Sequence, residues 1–352
     1  MIKNIPQWGG VPEGTGRILV TGVGGNVGQG ILKALSMSRL ARYVVATDCN
    51  PQSMGLFVVD KGYVVPAATD PHFSKVFTRI LIQEGIDLVF VGADAETLAI
   101  AQLRDQLERD TSARILTADR QVVERCHDKW LTSRWFAQTG LPHPATLLAN
   151  DQPGIERLLD LYGFPVVVKP RFGYASRGVR VVHHLRELEV ETGKLGELGI
   201  IQSYVGSDEQ EYTGSVFAPK PGEVAAWIVM RRELLQGTSY RIEPVTSHLL
   251  TTALRQWGEA MGALGAANFQ FRMTDSGPVC FEVNARFSGT TSVRALFGFN
   301  DVEMAVRCFL RNERVEQPAI RMGRVLRYWE EILIDPVADA SPSQLTTRGD
   351  PQ

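Results

Sequence analysis

The chain of 352 residues is 44% hydrophobic and 22% charged, with a formal net charge of -2, as is ordinary for a soluble protein of two or three domains. This charge provides no overall attraction to nucleic acid or anionic membranes, and no apolar run approaches the ~18 residues of a membrane-spanning helix. The four cysteines are widely spaced and the N-terminus lacks a signal-peptide pattern, so we expect a cytoplasmic protein without disulfides or a zinc site.

The predicted elements begin after a loose N-terminal arm (residues 1–16) and alternate between short strands and helices. Strands are expected at 18–20, 43–47, 88–91 and 114–116, and helices at 28–40, 73–83 and 97–108. Strands separated by helices predict a parallel sheet with helices on both faces.

A glycine-rich turn, Thr21–Gly28, joins the first predicted strand to the first helix. Its glycine spacing is close to, but not the same as, that of dinucleotide-binding turns, and Asp48 ends the second strand, where such proteins keep a ribose-binding acid. Taken alone, the turn leaves open an NAD(P) site, a site for another anion, or simple packing of a helix on a sheet.

The second half of the chain, after about residue 125, changes to a mixed α+β pattern with two predicted hairpins. Strands at 164–169 and 178–183 are separated by a short loop, which favours an antiparallel pair. Strands at 266–273 and 278–285 flank a three-residue turn, Asp275–Gly277, with glycine expected in the left-handed conformation. The last ~20 residues are predicted to be a disordered tail.

Lys169 ends the first strand of this half, and the loop after it has Gly173 and Gly178 at its ends and Ser176 inside. Backbone N–H groups of such a loop can contact polyphosphate oxygens, with Ser176 as a further donor and Lys169 as a point charge. The alternative is a surface hairpin with incidental basic residues. Lys129 is a candidate phosphate ligand only if it lies close to the same phosphates.

The strand near residue 280 carries an acid, an amide and an arginine at alternate positions. Glu282, Asn284 and Arg286 therefore share one face, while Phe281 and Val283 are expected in the core. The hairpin register predicts Gln270 opposite Glu282. Carboxylate and amide oxygens suit Mg²⁺, which also takes substrate phosphates. The alternative, a polar solvent-facing strand, is weakened because Asn and Gln are poor strand formers.

A segment between these motifs, residues 200–206, is predicted to be a strand ending in glycine, and an acid-rich stretch follows at 207–212. Its main chain could pair with an adenine edge and a following carboxylate could bind ribose, although an ordinary strand and turn gives the same pattern.

In this order and spacing, the motifs resemble the ATP-grasp superfamily, in particular the carbamoyl-phosphate synthetase large subunit and the lysine ligase of the pyrrolysine pathway. The resemblance is strongest at residues 268–271 and 281–289. It implies an α/β plus α+β chain with a Rossmann-like pre-ATP-grasp domain and a two-lobed ATP-grasp fold. The expected domains are the arm (1–16), the Rossmann-like domain (17–125), a lid subdomain (126–200), a C-terminal subdomain (201–320) and a short tail (321–352).

The resemblance also implies an ATP site in which a mobile flap at residues 173–178 covers the phosphates. The implied contacts to phosphates, adenine and ribose are Lys129, Lys169, Gly173, Ser176, Gly178, Gln202, Ser203, Tyr204, Val205 and Glu211, with Glu209 as a rival for the ribose.

The implied ligands of Mg²⁺, or of Mn²⁺ in its place, are Gln270, Glu282 and Asn284. By the same resemblance, Arg286 is expected to face the transferred phosphoryl group, with Arg231 or Arg232 as a further arginine at the phosphate.

The activity that the resemblance implies is an ATP- and Mg²⁺-dependent carboxylate–amine ligase that forms an acyl phosphate and releases ADP, with an amino acid or related small acid as the preferred substrate. Gly24, Asp94 and Glu96 could line the acceptor side of the pocket, the two acids either holding an ammonium or lying solvated in a loop.

An NAD(P)-dependent oxidoreductase and a non-catalytic nucleotide-binding regulator are the alternative functions. The expected partners are small-molecule carboxylates and amines, without nucleic acid or membrane, and a homodimer is left open.

Overall fold

The computed structural model describes residues 16–38, 40–41, 43–173, 177–334 and 343–344, which form three sheets and the helices that pack on them. The strands are β1 (Arg17–Thr21), β2 (Tyr43–Asp48), β3 (Lys61–Val64), β4 (Leu88–Phe90), β5 (Arg114–Leu116), β6 (Thr146–Leu148), β7 (Val166–Pro170), β8 (Arg180–Val182), β9 (Gly199–Ser203), β10 (Glu211–Ala218), β11 (Ala226–Leu235), β12 (Thr238–Pro244), β13 (Gly265–Thr274), β14 (Gly277–Asn284), β15 (Val325–Leu326) and β16 (Ser343–Gln344). The α-helices are α1 (Asn26–Ser38), α2 (Phe73–Gln83), α3 (Asp94–Asp110), α4 (Arg120–His127), α5 (Lys129–Thr139), α6 (Gln152–Tyr162), α7 (Leu185–Leu195), α8 (His248–Met261), α9 (Thr291–Leu296) and α10 (Asp301–Arg311).

The N-terminal sheet has the order β16-β3-β2-β1-β4-β5, and all its neighbouring strands are parallel. Its central strands are continuous buried apolar runs, as expected when both faces are covered. Ile18 packs in the same core as Ile31 of α1, whereas Leu19 packs with Phe77 of α2 on the other face. The parallel sheet with helices on both faces is therefore confirmed.

A four-stranded antiparallel sheet, β6-β9-β7-β8, lies mostly within the predicted lid subdomain, and we call it the lid sheet. The predicted hairpin of β7 and β8 is confirmed, with Val167 opposite Val181. Helices α6 and α7 cover one face, where Ile155, Val168 and Leu188 form a small core. The other face of this sheet is left for the candidate site.

A six-stranded antiparallel sheet, β14-β13-β10-β11-β12-β15, forms the C-terminal part. Helix α8 covers one face, where Trp257 packs against Phe269 and Phe271. The opposite face turns toward the lid sheet and the N-terminal domain.

The hairpin of β13 and β14 corrects one prediction and confirms another. Thr274 pairs directly with Gly277, so the turn has two residues, and Gly277 begins the strand with φ 113°. The predicted three-residue turn is therefore wrong. A bulge further along adds one residue to β14 and restores the predicted pairing of Gln270 with Glu282. The extra residue is Phe281, which is half-buried beside the candidate site and not in the core as expected.

The N-terminal domain and the C-terminal sheet share one apolar core. The rings of Phe90, in β4, and Phe287, just after β14, meet edge to face with centroids 5.5 Å apart. Asn300, before α10, donates a hydrogen bond to the Ala34 carbonyl of α1 at 2.8 Å.

The predicted N-terminal arm, apart from Gly16, and most of the predicted disordered tail lie outside the described residues. None of the helices that the structure describes combines the length and the apolar character of a membrane span.

Candidate active site

A pocket lies where the lid sheet approaches β14. It is lined by Asp94, Cys126, His127, Lys129, Thr132, Gly173, Phe281, Glu282, Val283 and Asn284. The pocket therefore brings together a predicted phosphate lysine, one end of the predicted flap and the acid–amide strand, which are far apart in the sequence.

Lys169 lies beside this pocket, on the face of the lid sheet that α6 and α7 leave uncovered. Its side chain is buried, and Nζ lies 3.4 Å from the carbonyl oxygen of Phe281. Burial lowers the pKa of Lys169 to about 8, the nearby Glu282 carboxylate raises it, and the positive charge of Lys129 lowers it. Lys169 is therefore close to both groups, as the predicted triphosphate site requires.

Lys129 begins α5 and its Nζ donates a hydrogen bond to the Gly173 carbonyl at 2.8 Å. The N-cap of this helix is Asp128, whose carboxylate accepts from the Trp130 amide at 2.9 Å and also pairs with Arg171 at the base of the flap. These contacts fix one end of the flap next to Lys129.

The two glycines of the predicted flap both have positive φ, 139° at Gly173 and 74° at Gly178. L side chains rarely adopt such conformations, so the loop depends on glycine at these two positions. Ser176 lies outside the described residues, and its role as a phosphate donor stays a prediction.

The predicted metal ligands form one cluster. The side-chain amides of Gln270 and Asn284 each donate to Oε1 of Glu282 at 3.2 Å. Their amide oxygens accept from two arginines: Arg232 at 2.7 Å for Gln270 and Arg286 at 3.1 Å for Asn284. The three predicted ligands are therefore held together by hydrogen bonds.

This donor set fits Mg²⁺ held mainly by nucleotide phosphates. Among the described residues, Oε2 of Glu282 accepts no hydrogen bond, and no group of three or more His, Cys, Asp or Glu side chains could hold a metal alone. Mg²⁺ commonly takes one or two carboxylates and completes its octahedron with phosphates and water. Glu282 supplies such a carboxylate.

Arg231 and Arg232 lie on opposite faces of β11. Arg232 is buried and contacts Gln270, whereas Arg231 is exposed and pairs with Glu243 at 3.2 Å. Of the two candidates for a further arginine at the phosphate, the structure brings Arg232 to the cluster of predicted metal ligands and leaves Arg231 outside it.

Glu211, the predicted ribose ligand, is buried between two arginines. Its Oε1 accepts from Arg232 at 2.7 Å and its Oε2 accepts from Arg272 at 2.8 Å. Its rival Glu209 is exposed. Both assignments stay predictions. Glu211 would bind ribose only while also holding two guanidinium groups.

The sequence reasoning missed Arg272 and Phe281. Arg272 lies two residues after Gln270 on the same face of β13 and carries its guanidinium 4.9 Å from the ring centre of Tyr204. Strand alternation could have identified Arg272, whereas the exposure of Phe281 depends on the bulge in β14.

The predicted adenine segment lies at the end of β9. Gln202 shares the open face of the lid sheet with Lys169, and its amide donates to the Thr146 hydroxyl at 2.9 Å. The backbone N–H of Ser203 donates a hydrogen bond to the Ala145 carbonyl at 2.9 Å. The Val205 carbonyl accepts from Arg272 at 3.4 Å. Their adenine contacts remain predictions.

The predicted substrate residues of the N-terminal domain separate into two groups. Asp94 and Glu96 lie in the first turn of α3, not in a loop, but only Asp94 lines the pocket. Glu96 is buried below the glycine turn, and Gly24 donates its amide N–H to Asp48 at 2.7 Å. The Asp48 carboxylate therefore stabilises the glycine turn by this hydrogen bond.

Two family models match separate parts of the chain. Residues 18–113 match the model described as "PylC-like, N-terminal domain", and residues 201–332 match "ATP-grasp in the biosynthetic pathway with Ter operon". The chain thus combines a PylC-like N-terminal domain with an ATP-grasp domain, as the resemblance predicted.

Curated relatives include the carbamoyl-phosphate synthase of Methanobrevibacter smithii, 23% identical over 70% of this chain and 68% of the relative. The chain spans only 38% of a related uncharacterised protein of Sinorhizobium fredii, and 33% of the C-terminal section of the carbamoyl phosphate synthase large chain of Aquifex aeolicus.

Solved structures with the same fold include the N5-carboxyaminoimidazole synthetase of Staphylococcus aureus complexed with ADP, with a TM-score of 0.71, 14% identity, and coverage of 88% of this chain and 80% of that one. The L-amino acid ligase of Bacillus licheniformis has a TM-score of 0.65, 17% identity, and coverage of 84% and 74%. At these identities the likeness establishes the ATP-grasp fold.

Proposed function

We propose that this chain, an ATP-grasp protein of the ATP-dependent ligase class, joins a carboxylate to an amine through an acyl phosphate. The observation that carries the proposal is that Lys129 and Glu282 line one pocket and that Lys169 lies beside it, with its Nζ 3.4 Å from the Phe281 carbonyl oxygen. Two cations beside an acid–amide cluster suit a triphosphate with its metal, which the oxidoreductase alternative does not require.

The proposed reaction has two steps. A carboxylate oxygen of the first substrate forms a bond to the γ-phosphorus while the bond to ADP breaks; the amine then attacks the acyl carbon and phosphate leaves. Phosphoryl transfer depends mainly on positioning and charge stabilisation. When bound, Mg²⁺ supplies charge neutralisation of the phosphates, and Glu282, Gln270 and Asn284 would hold it.

The lysines and arginines have separate tasks in this scheme. Lys169 and Lys129 would bind the phosphates, and Arg286, with Arg232 behind Gln270, would stabilise charge near the transferred group. The flap between Gly173 and Gly178 would exclude water, which otherwise hydrolyses an acyl phosphate.

The preferred substrate class is an amino acid or a related small acid. The L-amino acid ligase among the proteins with the same fold supports this preference.

A direct test incubates the purified protein with ATP, Mg²⁺ and pooled amino acids, then measures ADP and new mass peaks. We expect substrate-dependent ADP release and a product that has lost water relative to its two parts. AMP in place of ADP would indicate adenylate chemistry, and NAD(P)H binding without ATP use would favour the oxidoreductase.

The Lys169→Ala and Glu282→Ala variants test the site itself. Each variant should fold, but its rate of substrate-dependent ADP release should fall about 10²-fold or more, because each substitution removes charge stabilisation at the phosphates. Lys220→Ala is the matched control, since Lys220 is exposed and pairs only with Glu223 among the described residues. Unchanged turnover in either site variant would contradict the assignment.

A further inference from the structure

Asp94, in the N-terminal domain, is joined to Arg286, in the ATP-grasp domain, by a two-point ion pair. Nε of Arg286 lies 2.6 Å from Oδ1 of Asp94, and Nη2 lies 2.8 Å from Oδ2. The arginine side chain is 11% exposed and the aspartate side chain 25% exposed. A fork-to-fork pair with this little exposure fixes the plane of the guanidinium.

The remaining hydrogen bonds of Arg286 use most of the N–H donors of its guanidinium group. Nη1 donates to the Phe287 carbonyl at 2.7 Å, and Nη2 donates to the Asn284 side chain at 3.1 Å. A guanidinium has five N–H groups, and these bonds with the two to Asp94 occupy four of them. Within the described part of the chain, one N–H of Nη1 is left for a ligand.

The same geometry limits what else Asp94 can do. Both of its carboxylate oxygens already accept charge-assisted hydrogen bonds from Arg286, so an ammonium would have to compete with a bidentate guanidinium. Asp94 also stands in the first turn of α3, where the helix dipole stabilises a carboxylate. The surroundings of Asp94 therefore suit a carboxylate that pairs with an arginine.

We propose that Asp94 is a positioning residue for phosphoryl transfer, which holds Arg286 beside Asn284 so that one N–H is presented to the transferred group. This inference rests on the proposed function. It makes the N-terminal domain part of the phosphoryl site, because an acid from that domain sets the orientation of the arginine.

The kinetic test is Asp94→Asn, which keeps the size of the side chain and removes its charge. We expect the kcat of substrate-dependent ADP release to fall about 10- to 100-fold, with KM for ATP and for the amine within about threefold of the wild-type values. The matched control is Asp105→Asn in the same helix, where the aspartate is exposed and its guanidinium contact, with Arg104, is 3.4 Å long; it should behave as wild type.

A double-mutant cycle separates positioning from an independent effect. If Asp94 acts through Arg286, adding Asp94→Asn to Arg286→Lys should lower kcat by less than about twofold, since the lysine lacks the fork that Asp94 holds. Additive losses would overturn the proposal. A rise in KM for the amine with normal kcat would also overturn it, and would assign Asp94 to an ammonium.

A spectroscopic test does not depend on turnover. In protein labelled with ¹⁵N-arginine, the Nε–H signal that Arg286→Lys removes should exchange slowly with solvent in the wild type and in Asp105→Asn, and rapidly in Asp94→Asn. It should stay slow with Mg²⁺ and a non-hydrolysable ATP analogue; rapid exchange then would overturn the positioning role. A slow signal in wild-type protein that releases no ADP would instead refute the proposed function while the ion pair stands.

Discussion

Glu96 is an acid buried where its charge is poorly compensated. Its side chain is 7% exposed, and among the described residues Oε2 has no hydrogen-bond partner. Burial raises the pKa of Glu96 to about 7, a hydrogen bond with Thr21 opposes this rise, and the charge of Asp48 adds to it. The folded protein therefore binds a proton at Glu96 in a range where the unfolded chain has already lost it.

The Glu96→Gln variant should change the pH dependence of stability. With an unfolded pKa near 4.5 and a folded pKa of about 7, wild-type stability includes a contribution that is lost as pH rises between these values. Glutamine does not titrate, so the free energy of unfolding of the variant relative to wild type should increase by about 2 kcal/mol from pH 5 to pH 8. Urea unfolding at both pH values measures this.

Asp105→Asn, at an exposed position of the same helix, provides the comparison for that experiment. Its stability relative to wild type should stay nearly constant over the same range. If Glu96→Gln and wild type keep the same difference at both pH values, the folded pKa of Glu96 is not raised.

Which site residues could be predicted depended on whether their signal was local. Lys169 and Glu282 stand out because their strands carry them next to glycines and amides. The pairing of Asp94 with Arg286 could not be read from the sequence, because the two residues are 192 positions apart and meet only after both domains fold. The burial of Glu96 likewise depends on the glycine turn that lies above it.

The glycine turn before α1 depends on close backbone approach. A Cβ at Gly28 would lie 2.4 Å from the Gly22 carbonyl oxygen, which is backbone and cannot move aside cheaply. A Cβ at Gly25, in the same turn, would meet that oxygen at 3.4 Å. Close backbone approach therefore requires glycine at position 28 but not at position 25.

Gly28→Ala should destabilise the protein, although alanine is more favourable than glycine inside a helix by about 1 kcal/mol. The clash should cost more than this gain, for a net loss of about 2 kcal/mol in the free energy of unfolding. Gly25→Ala is the matched control and should change stability by less than about 1 kcal/mol. Chemical denaturation of the three proteins compares them, and a Gly28→Ala protein as stable as wild type would rule out the clash.

The elements themselves were largely predictable, and the exception is informative. The alternation of strands and helices predicted the parallel sheet because each buried strand is a compact apolar run. The register of β13 and β14 near their turn was not predictable, because a two-residue turn and a bulge at Phe281 give the same Gln270–Glu282 pair as a three-residue turn without a bulge.

The domains meet through a continuous apolar core, while the exact domain boundaries stay predictions. Ile18 of the N-terminal sheet, Ile228 of the C-terminal sheet and Val302 of α10 belong to the same buried cluster. Sequence patterns predicted two kinds of domain but not this shared core, because each strand pattern indicates burial without naming its partner. A shared core favours unfolding of both domains in one transition.

Phe287→Ala tests whether the two domains unfold together. Phe287 is buried and packs against Phe90 across the domain boundary, so its loss should cost about 3–5 kcal/mol. Hydrogen exchange should then accelerate equally for the most protected amides of β1 and of β13, because both are exposed only by the shared unfolding. Leu161→Ala, at a position 78% exposed in α6, should leave both unchanged. Faster exchange in β1 alone would show that the N-terminal domain unfolds by itself, and the interface would then be a docking contact between two independently stable units.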